Sequence, residues 1–384
     1  MRFNLHNYSK LTTFFLSLIF AAVFSGQVLG FPGDADRLAS KFPRVLNLYA
    51  QDGKQRGVSW VAGRKISPED LKPLVRDNIE WIVQTPFGWQ RNYDSPQVIL
   101  ATPNQVFWGE SDEGLTVTTQ MAHRLGIKTM LKPHIWLHRN GSGKWRGEIE
   151  MKSEADWERW FASYGKFILH YAKLAEKLNI EALCIGTELH LPAVRREADW
   201  RRLIEHIRRV YHGKILYAAN WYREFEEINF WDALDYIGIQ AYFPLTKNRD
   251  PTVEEIKKGW QPYLKAIEKV QKKFQKPVIF TEIGYKSTDD SAIEPWKWPR
   301  EMEWSKIRIS PQTQANCFEA FFQTFWRREW FAGAYFWKWF PHNPQANRHY
   351  RYSFTPQFKP AEKVIAKWYR QPVSPGHSPL IQGK

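Results

Sequence analysis

Two glutamates stand where a charge is hard to keep. Glu188 comes just after the apolar run Ala182–Gly186 (ALCIG), and Glu282 directly follows Val278–Thr281 (VIFT). Both runs read as buried strands, and an ionisable group at such a strand end is costly unless it is paired or used. Two carboxyls facing each other across a pocket can cleave a glycosidic bond. One gives a proton to the leaving oxygen; the other attacks the anomeric carbon, or activates water, as an oxocarbenium-like transition state forms. Aromatic neighbours would add platforms for sugar rings and a low-dielectric wall that keeps the acid protonated. The chain holds 20 Trp, 16 Tyr and 25 Phe in 384 residues, more Trp than packing alone is expected to recruit. A lone strand-end glutamate is more simply read as a loop cap or an arginine partner. Two of them in so Trp-rich a chain favour chemistry.

The ends of the other apolar runs supply further candidates. Trp60 and Trp89 close the first two, and Lys132, His134 and Trp136 follow at alternate positions on the third. Asn220-Trp221 ends the fifth, Gln240-Ala241-Tyr242 the sixth, and Trp337-Lys338-Trp339 the eighth. His134 either reaches the carboxyl region or a sugar hydroxyl, or is a satisfied core histidine. Lys132 either contacts a hydroxyl or pairs with an acid. Trp337 and Trp339 share a face at period two, so that one could stack on a sugar while the other packs. Trp60, Trp89, Trp136 and Trp221 are candidates for the cleft lining. His123, His138 and His190 lack metal-ligand spacing. Neither a metal nor a cofactor is expected, since the chemistry requires none.

These residues need a scaffold that gathers strand ends. The strand-like runs are Gly57–Val61, Trp81–Thr85, Lys128–Pro133, Ala182–Gly186, Ile215–Ala219, Tyr236–Gln240, Val278–Thr281 and Gly333–Trp337. Amphipathic segments separate them: Pro68–Asp77, Leu115–Leu125, Glu154–Leu178, Asp199–Tyr211, Val253–Phe274 and Pro311–Arg328, two of them preceded by Ser-Pro start signals at Ser67 and Ser310. Near-continuous apolar strands alternating with helices predict a parallel sheet buried on both faces. Eight such units predict a closed (β/α)8 barrel, whose working residues sit at the strands' C-terminal ends. An open doubly wound sheet is the rival, but no Gly-x-Gly-x-x-Gly follows any strand. No linker divides residues 31–372, which read as one catalytic domain ahead of a flexible tail at 373–384.

Composition sets the remaining bounds. The chain is 43% hydrophobic and 25% charged, the balance of a globular protein. Two cysteines, Cys184 and Cys317, sit in apolar runs and read as free buried thiols rather than a disulfide. The 55 Lys and Arg against 40 Asp and Glu leave a net charge of +15. The basic pairs Arg195-Arg196, Arg201-Arg202, Arg208-Arg209 and Lys272-Lys273 lie on helix-like segments interleaved with acids, so a nucleic-acid partner is not expected. Residues 1–30 carry Arg2 and Lys10 before the apolar stretch Leu11–Phe24 and a small-residue exit. That pattern is a secretory signal peptide, and the chain is expected to be secreted or periplasmic with no stable membrane anchor after processing. An uncleaved anchor is the alternative.

The set GVSW, LKPHIW, IGTELH, IQAYFPL, FTEIGY and FWKWFP, spanning Gly57 to Trp339, resembles glycoside hydrolase family 113, the β-1,4-mannanases of clan A. FTEIGY and GTEL are its most specific parts. The resemblance implies a retaining mechanism with Glu188 as acid/base and Glu282 as nucleophile, Tyr242 hydrogen-bonding Glu282, and β-mannan or a related β-glycan as substrate. Many clan members carry Asn immediately before the acid/base; here Thr187 stands there, and Asn220 is the candidate substitute for the contact to the sugar's 2-hydroxyl. The alternatives are hydrolysis of another β-glycan, a non-catalytic glycan-binding barrel, and an anionic-surface binder that rests on net charge alone.

Overall fold

The apolar runs pair side by side because strands buried on both faces are stable only in a sheet wrapped by helices. A computed structural model describes residues 43–102, 105–138, 143–298 and 306–373. The expected leader at 1–30 and, apart from Val373, the expected tail at 373–384 lie outside the described residues. Eleven strands follow one another: β1 (Gln55–Trp60), β2 (Trp81–Gln84), β3 (Phe87–Gln90), β4 (Val98–Leu100), β5 (Lys128–Leu131), β6 (His134–Leu137), β7 (Ala182–Thr187), β8 (Lys214–Asn220), β9 (Tyr236–Gln240), β10 (Val278–Ile283) and β11 (Phe331–Trp339). Eight of them close into a barrel in the order β1-β11-β10-β9-β8-β7-β5-β2, with every barrel pairing parallel. The fold is the (β/α)8 barrel.

Alternation along each strand divides the core in two. Trp81, Val83, Met130, Ala182, Cys184, Leu216, Ala218, Ile279 and Tyr335 form one buried cluster, and their period-two neighbours Ile82, Leu183, Ile185, Ile215 and Tyr217 join the larger cluster with the helices. Cys184 and Cys317 are free and buried. Seven tryptophans (Trp81, Trp160, Trp200, Trp231, Trp260, Trp326 and Trp339) are among the largest fully buried side chains. Packing thus accounts for a large share of the 20 tryptophans: wide rings such as the stacked Trp160–Tyr164 pair, 4.8 Å apart, fill the space between strands and helices.

The helix Val253–Phe274 has the bounds expected of it, and Glu154–Lys177 differs by one residue at its end. The expected helix Pro68–Asp77 is instead a 3-10 turn, Pro68–Leu71, followed by the helix Lys72–Arg76. Pro73 has no N–H for the Glu69 carbonyl, so Lys72 N–H takes that carbonyl in a tighter turn. A second correction concerns the third run. Pro133 interrupts it, β5 stops at Leu131, and His134 starts β6, which pairs with β3 in a separate sheet of order β4-β3-β6. The C-terminal helix Pro360–Tyr369 was not anticipated. Its last residue packs in the outer core, where the Tyr369 carbonyl accepts from buried Arg56 Nε at 3.0 Å and from Asn78 Nδ2 at 2.7 Å.

The basic pairs on Glu197–Arg208 and beside it are matched by acids: Arg196 and Arg202 meet Asp199, Arg201 meets Glu197 and Asp232, and Arg208 meets Asp235. Among the described residues no helix is long and apolar enough to cross a membrane.

Lys359, which precedes the last helix, is buried with its ammonium on Ser287 Oγ at 2.6 Å and on the Ser353 carbonyl at 3.1 Å. Burial lowers its pKa from 10.5 to about 7. Between those values the unfolded chain holds a proton that the folded one has released, so this residue makes stability rise with pH. Lys359→Met is expected to flatten the rise in thermal midpoint between about pH 7 and pH 10; an unchanged slope in melts across that range would show that another group is responsible.

Candidate active site

The barrel brings Glu188 and Glu282, distant in sequence, to one end. Glu282 lies on β10, which pairs with β9 through Glu282 and Gln240, and Gln240 in turn faces Asn220 on β8. Glu188 follows the last residue of β7 with φ +53°, a left-handed backbone that side-chain-bearing residues rarely adopt. Its N–H is held by the Ala218 carbonyl of β8 at 2.9 Å.

Both Glu282 oxygens accept hydrogen bonds. Tyr242 O–H donates to Oε2 at 2.7 Å, and the Lys132 ammonium donates to Oε1. Lys132 is fully buried and also reaches the Thr281 carbonyl at 3.2 Å and Gln240 Oε1 at 3.3 Å. Of the two readings open for Lys132, pairing with an acid is the observed one. Burial, and then the nearby Glu282, push the Tyr242 hydroxyl well above its ordinary range, which keeps it a donor.

Glu188 sits in different surroundings. Asn220 Nδ2 donates to its Oε1 at 2.8 Å, and Arg146 lies 3.7 Å from its Oε2. Its side chain is 16% exposed, the opening through which a ligand would reach it. Burial raises its pKa; Arg146 opposes this and the Glu282 charge adds to it. A carboxyl whose protonated form is favoured by burial, beside one that accepts on both oxygens, can do acid and nucleophile work in a single pocket.

His134 is buried, with Nδ1 accepting from Arg146 at 3.2 Å. The guanidinium can only donate, so the ring proton is on Nε2, 4.0 Å from Glu282 Oε1 and without a hydrogen-bond partner. Burial, followed by the charges of Lys132 and Arg146, holds this imidazole neutral, well below 6.5. Trp136 is 42% exposed, stacked on Phe87 at 5.5 Å and capped by the Arg146 guanidinium at 5.2 Å. Trp89 pairs in register with Trp136 across β3 and β6, so both belong to the small sheet rather than to barrel strands. Trp337 is half-buried, edge-on to Trp298 at 6.4 Å.

Trp60 and Trp339 are not at the pocket surface. They pair in register and pack in the outer core, with Trp60 3% exposed and Trp339 fully buried. The reason is a one-residue bulge. Two residues of β1 (Val58 to Trp60) span three of β11 (Phe336 to Trp339), which breaks the alternation expected to keep Trp337 and Trp339 on one face. Asn220 is committed as well, its Nδ2 on Glu188 and its Oδ1 on the Tyr222 N–H at 2.8 Å. Thr187 is buried, its hydroxyl 3.8 Å from Cys184 Sγ. Among the described residues no group of three or more His, Cys, Asp and Glu could hold a metal ion.

The sequence profile of Glycoside Hydrolase Family 113 matches residues 57–355. The chain belongs to glycoside hydrolase family 113. It is therefore a glycoside hydrolase, and three solved structures show the same barrel with closely similar relatives. A complex of a GH113 β-1,4-mannanase is 29% identical, covers 83% of this chain and 99% of its own, and superposes with a TM-score of 0.70. The GH113 β-mannanase of Alicyclobacillus acidocaldarius, in complex with ManMIm, is 28% identical with 83% and 97% coverage at TM-score 0.70. A further GH113 β-1,4-mannanase is 30% identical with 82% and 98% coverage at TM-score 0.68. No functionally curated protein matches the chain.

Within this family-113 barrel Arg146 and Glu224 also join the site, and Gln240, marked in the sequence only as a strand end, holds Lys132. Gln240 had a visible signal, an amide ending an apolar strand. Arg146 had none: it lies in a short 3-10 turn, Arg146–Glu148, whose spacing carries no periodicity. Glu224 sits in REFEE, which reads as a solvated acidic turn, yet it is fully buried.

Arg146 holds the Glu188 pKa below the value burial alone would set. Arg146→Met keeps the stem over Trp136 and removes the charge. The Glu188 carboxyl, followed by NMR in the variant, should then titrate at higher pH than in the parent; titration at the same or lower pH would remove Arg146 from the electrostatics of this site.

Proposed function

We propose that this glycoside hydrolase is an exported, endo-acting β-1,4-mannanase that cleaves mannan or glucomannan by double displacement, with Glu188 as acid/base and Glu282 as nucleophile. The observation that carries the mechanism is the contrast between the two carboxyls. Glu282 accepts from Lys132 and Tyr242, while burial favours the protonated form of Glu188. The substrate reading is supported by the family-113 mannanases that resemble the chain over most of its length, and export by the leader-like composition of residues 1–30.

In the first step Glu282 attacks the anomeric carbon as the Glu188 proton passes to the departing oxygen, leaving a glycosyl-enzyme ester. In the second, Glu188 takes a proton from water, the water oxygen attacks the same carbon, and Glu282 is released; two inversions retain the configuration. Asn220 occupies Glu188 Oε1 as an acceptor, which leaves Oε2 for the transferable proton. Lys132 and Tyr242 hold Glu282 rigid before attack and take back its charge on release. The Nε2–H of neutral His134, close to Glu282 and unpartnered, is a free donor for a hydroxyl of the bound sugar.

Glu282→Ala is expected to abolish hydrolysis. Azide should then restore turnover of an aryl β-mannobioside with a good leaving group, by one displacement that gives the α-glycosyl azide. Parental turnover without azide would reject the nucleophile assignment.

A good leaving group departs without a proton. Glu188→Ala should therefore lose about 10²–10⁴-fold in kcat/KM on mannan and far less on the same aryl glycoside; equal losses would count against the acid role. Product analysis on mannan, glucomannan, cellulose and xylan tests the substrate reading, which preferential release of cello- or xylo-oligosaccharides would overturn.

A further inference from the structure

Among the buried acids that the mechanism leaves unused, Glu224 is joined to Glu188 by hydrogen bonds. Glu224 belongs to the short helical turn Glu224–Glu227 and is fully buried beneath Glu188. Each of its oxygens takes one strong donor: Tyr217 O–H reaches Oε1 at 2.5 Å, and the Asn220 backbone N–H reaches Oε2 at 2.6 Å. Both donors lead to Glu188. The Tyr217 oxygen accepts the N–H of Leu189, the residue after Glu188, at 2.8 Å. Asn220 Nδ2 donates to Glu188 Oε1. One branch holds the backbone that carries the acid/base and the other holds its carboxyl.

We infer that Glu224 is a positioning residue that sets the orientation of the acid/base Glu188, acting through Tyr217 and Leu189 on one side and through Asn220 on the other. This rests on the proposed role of Glu188.

The local backbone needs such a holder. Glu188 is in the left-handed region, where a non-glycine residue persists only if its surroundings over-determine it. The Tyr217 ring has space to arrive because position 186 is glycine: a Cβ on Gly186 would lie 2.5 Å from Tyr217 Cε2. A hydrophobic residue at 224 would fill the space, but it would leave the Tyr217 hydroxyl and the Asn220 N–H without their acceptor.

Burial raises the Glu224 pKa to about 8, with Tyr217 and the Asn220 N–H opposing and the charges of Glu188 and Glu227 adding. Glu227 is itself paired with His190 and Arg223, and Glu188 with Arg146.

The experiment compares kcat/KM on mannohexaose with kcat/KM on 2,4-dinitrophenyl β-mannobioside, whose leaving group needs no proton, in the full chain. A Gln at 224 has a single carbonyl oxygen and can accept from only one of the two donors. Glu224→Gln should therefore lose about tenfold or more on mannohexaose, a part of what the general acid supplies, and stay within about twofold on the aryl substrate. Tyr217→Phe removes only the hydroxyl and should show the same split to a smaller degree, which keeps the test available if the first variant does not fold. A role confined to stability would lower the thermal midpoint and depress both substrates together, or neither. That result in the folded variants overturns the proposal. Glu188→Ala, run on the same pair, separates the two readings. If it too shows no split, the acid assignment has failed; if it splits and neither Glu224→Gln nor Tyr217→Phe does, only the positioning inference has.

Discussion

A buried ammonium on a buried carboxylate is the interaction the rest of the pocket is arranged around. Taking both charges out of water costs several kcal/mol per ion, and the cost is offset only where geometry is good and every remaining donor is satisfied. Lys132 meets that demand with Glu282, the Thr281 carbonyl and Gln240 Oε1. Those partners come from β9 and β10, across the barrel from the end of β5. The ion pair therefore exists only if the barrel is closed and its strands are in register, and in return it pins three strand ends where Glu282 must stand.

Glu188 is held by different means, and the difference gives one residue type two electrostatic settings. No cation reaches it as closely as Lys132 reaches Glu282: Arg146 stands 3.7 Å away, beyond hydrogen-bond distance. Its direct partner is the neutral Asn220 amide, and behind that lies Glu224, another carboxyl in a buried setting. Burial is thus the largest influence on Glu188 and favours its protonated form. Arg146 then moderates the effect while fixing the tautomer of His134, so that one side chain from a surface turn bears on both halves of the site.

The aromatic content serves mainly the scaffold. Rings such as Trp200, Trp231 and Trp260 fill the shell between strands and helices. Exposed rings sit on loops and on the small β4-β3-β6 sheet, among them Trp136 and Trp298.

The sequence by itself determined the barrel and its two principal carboxyls, because both depend on local pattern. Continuous apolar runs demand burial on two faces, amphipathic segments must cover them, and a charge after such a run stands out as Glu188 and Glu282 do. Val253–Phe274 was legible to the residue for the same reason: a Thr cap, an acidic first turn and an unbroken 3.6-residue period. Only the tertiary structure decided which neighbours those carboxyls meet. Pro133 moved His134 and Trp136 onto a second sheet, and one extra residue in β11 turned Trp339 into the core while Trp337 stayed half-buried, since a single bulge reverses every later side chain on a strand. Arg146 and Glu224 were invisible because their contacts join segments far apart in the chain, and whether a charged residue faces water or a buried hydrogen bond is set by what the fold places opposite it, which no local period encodes.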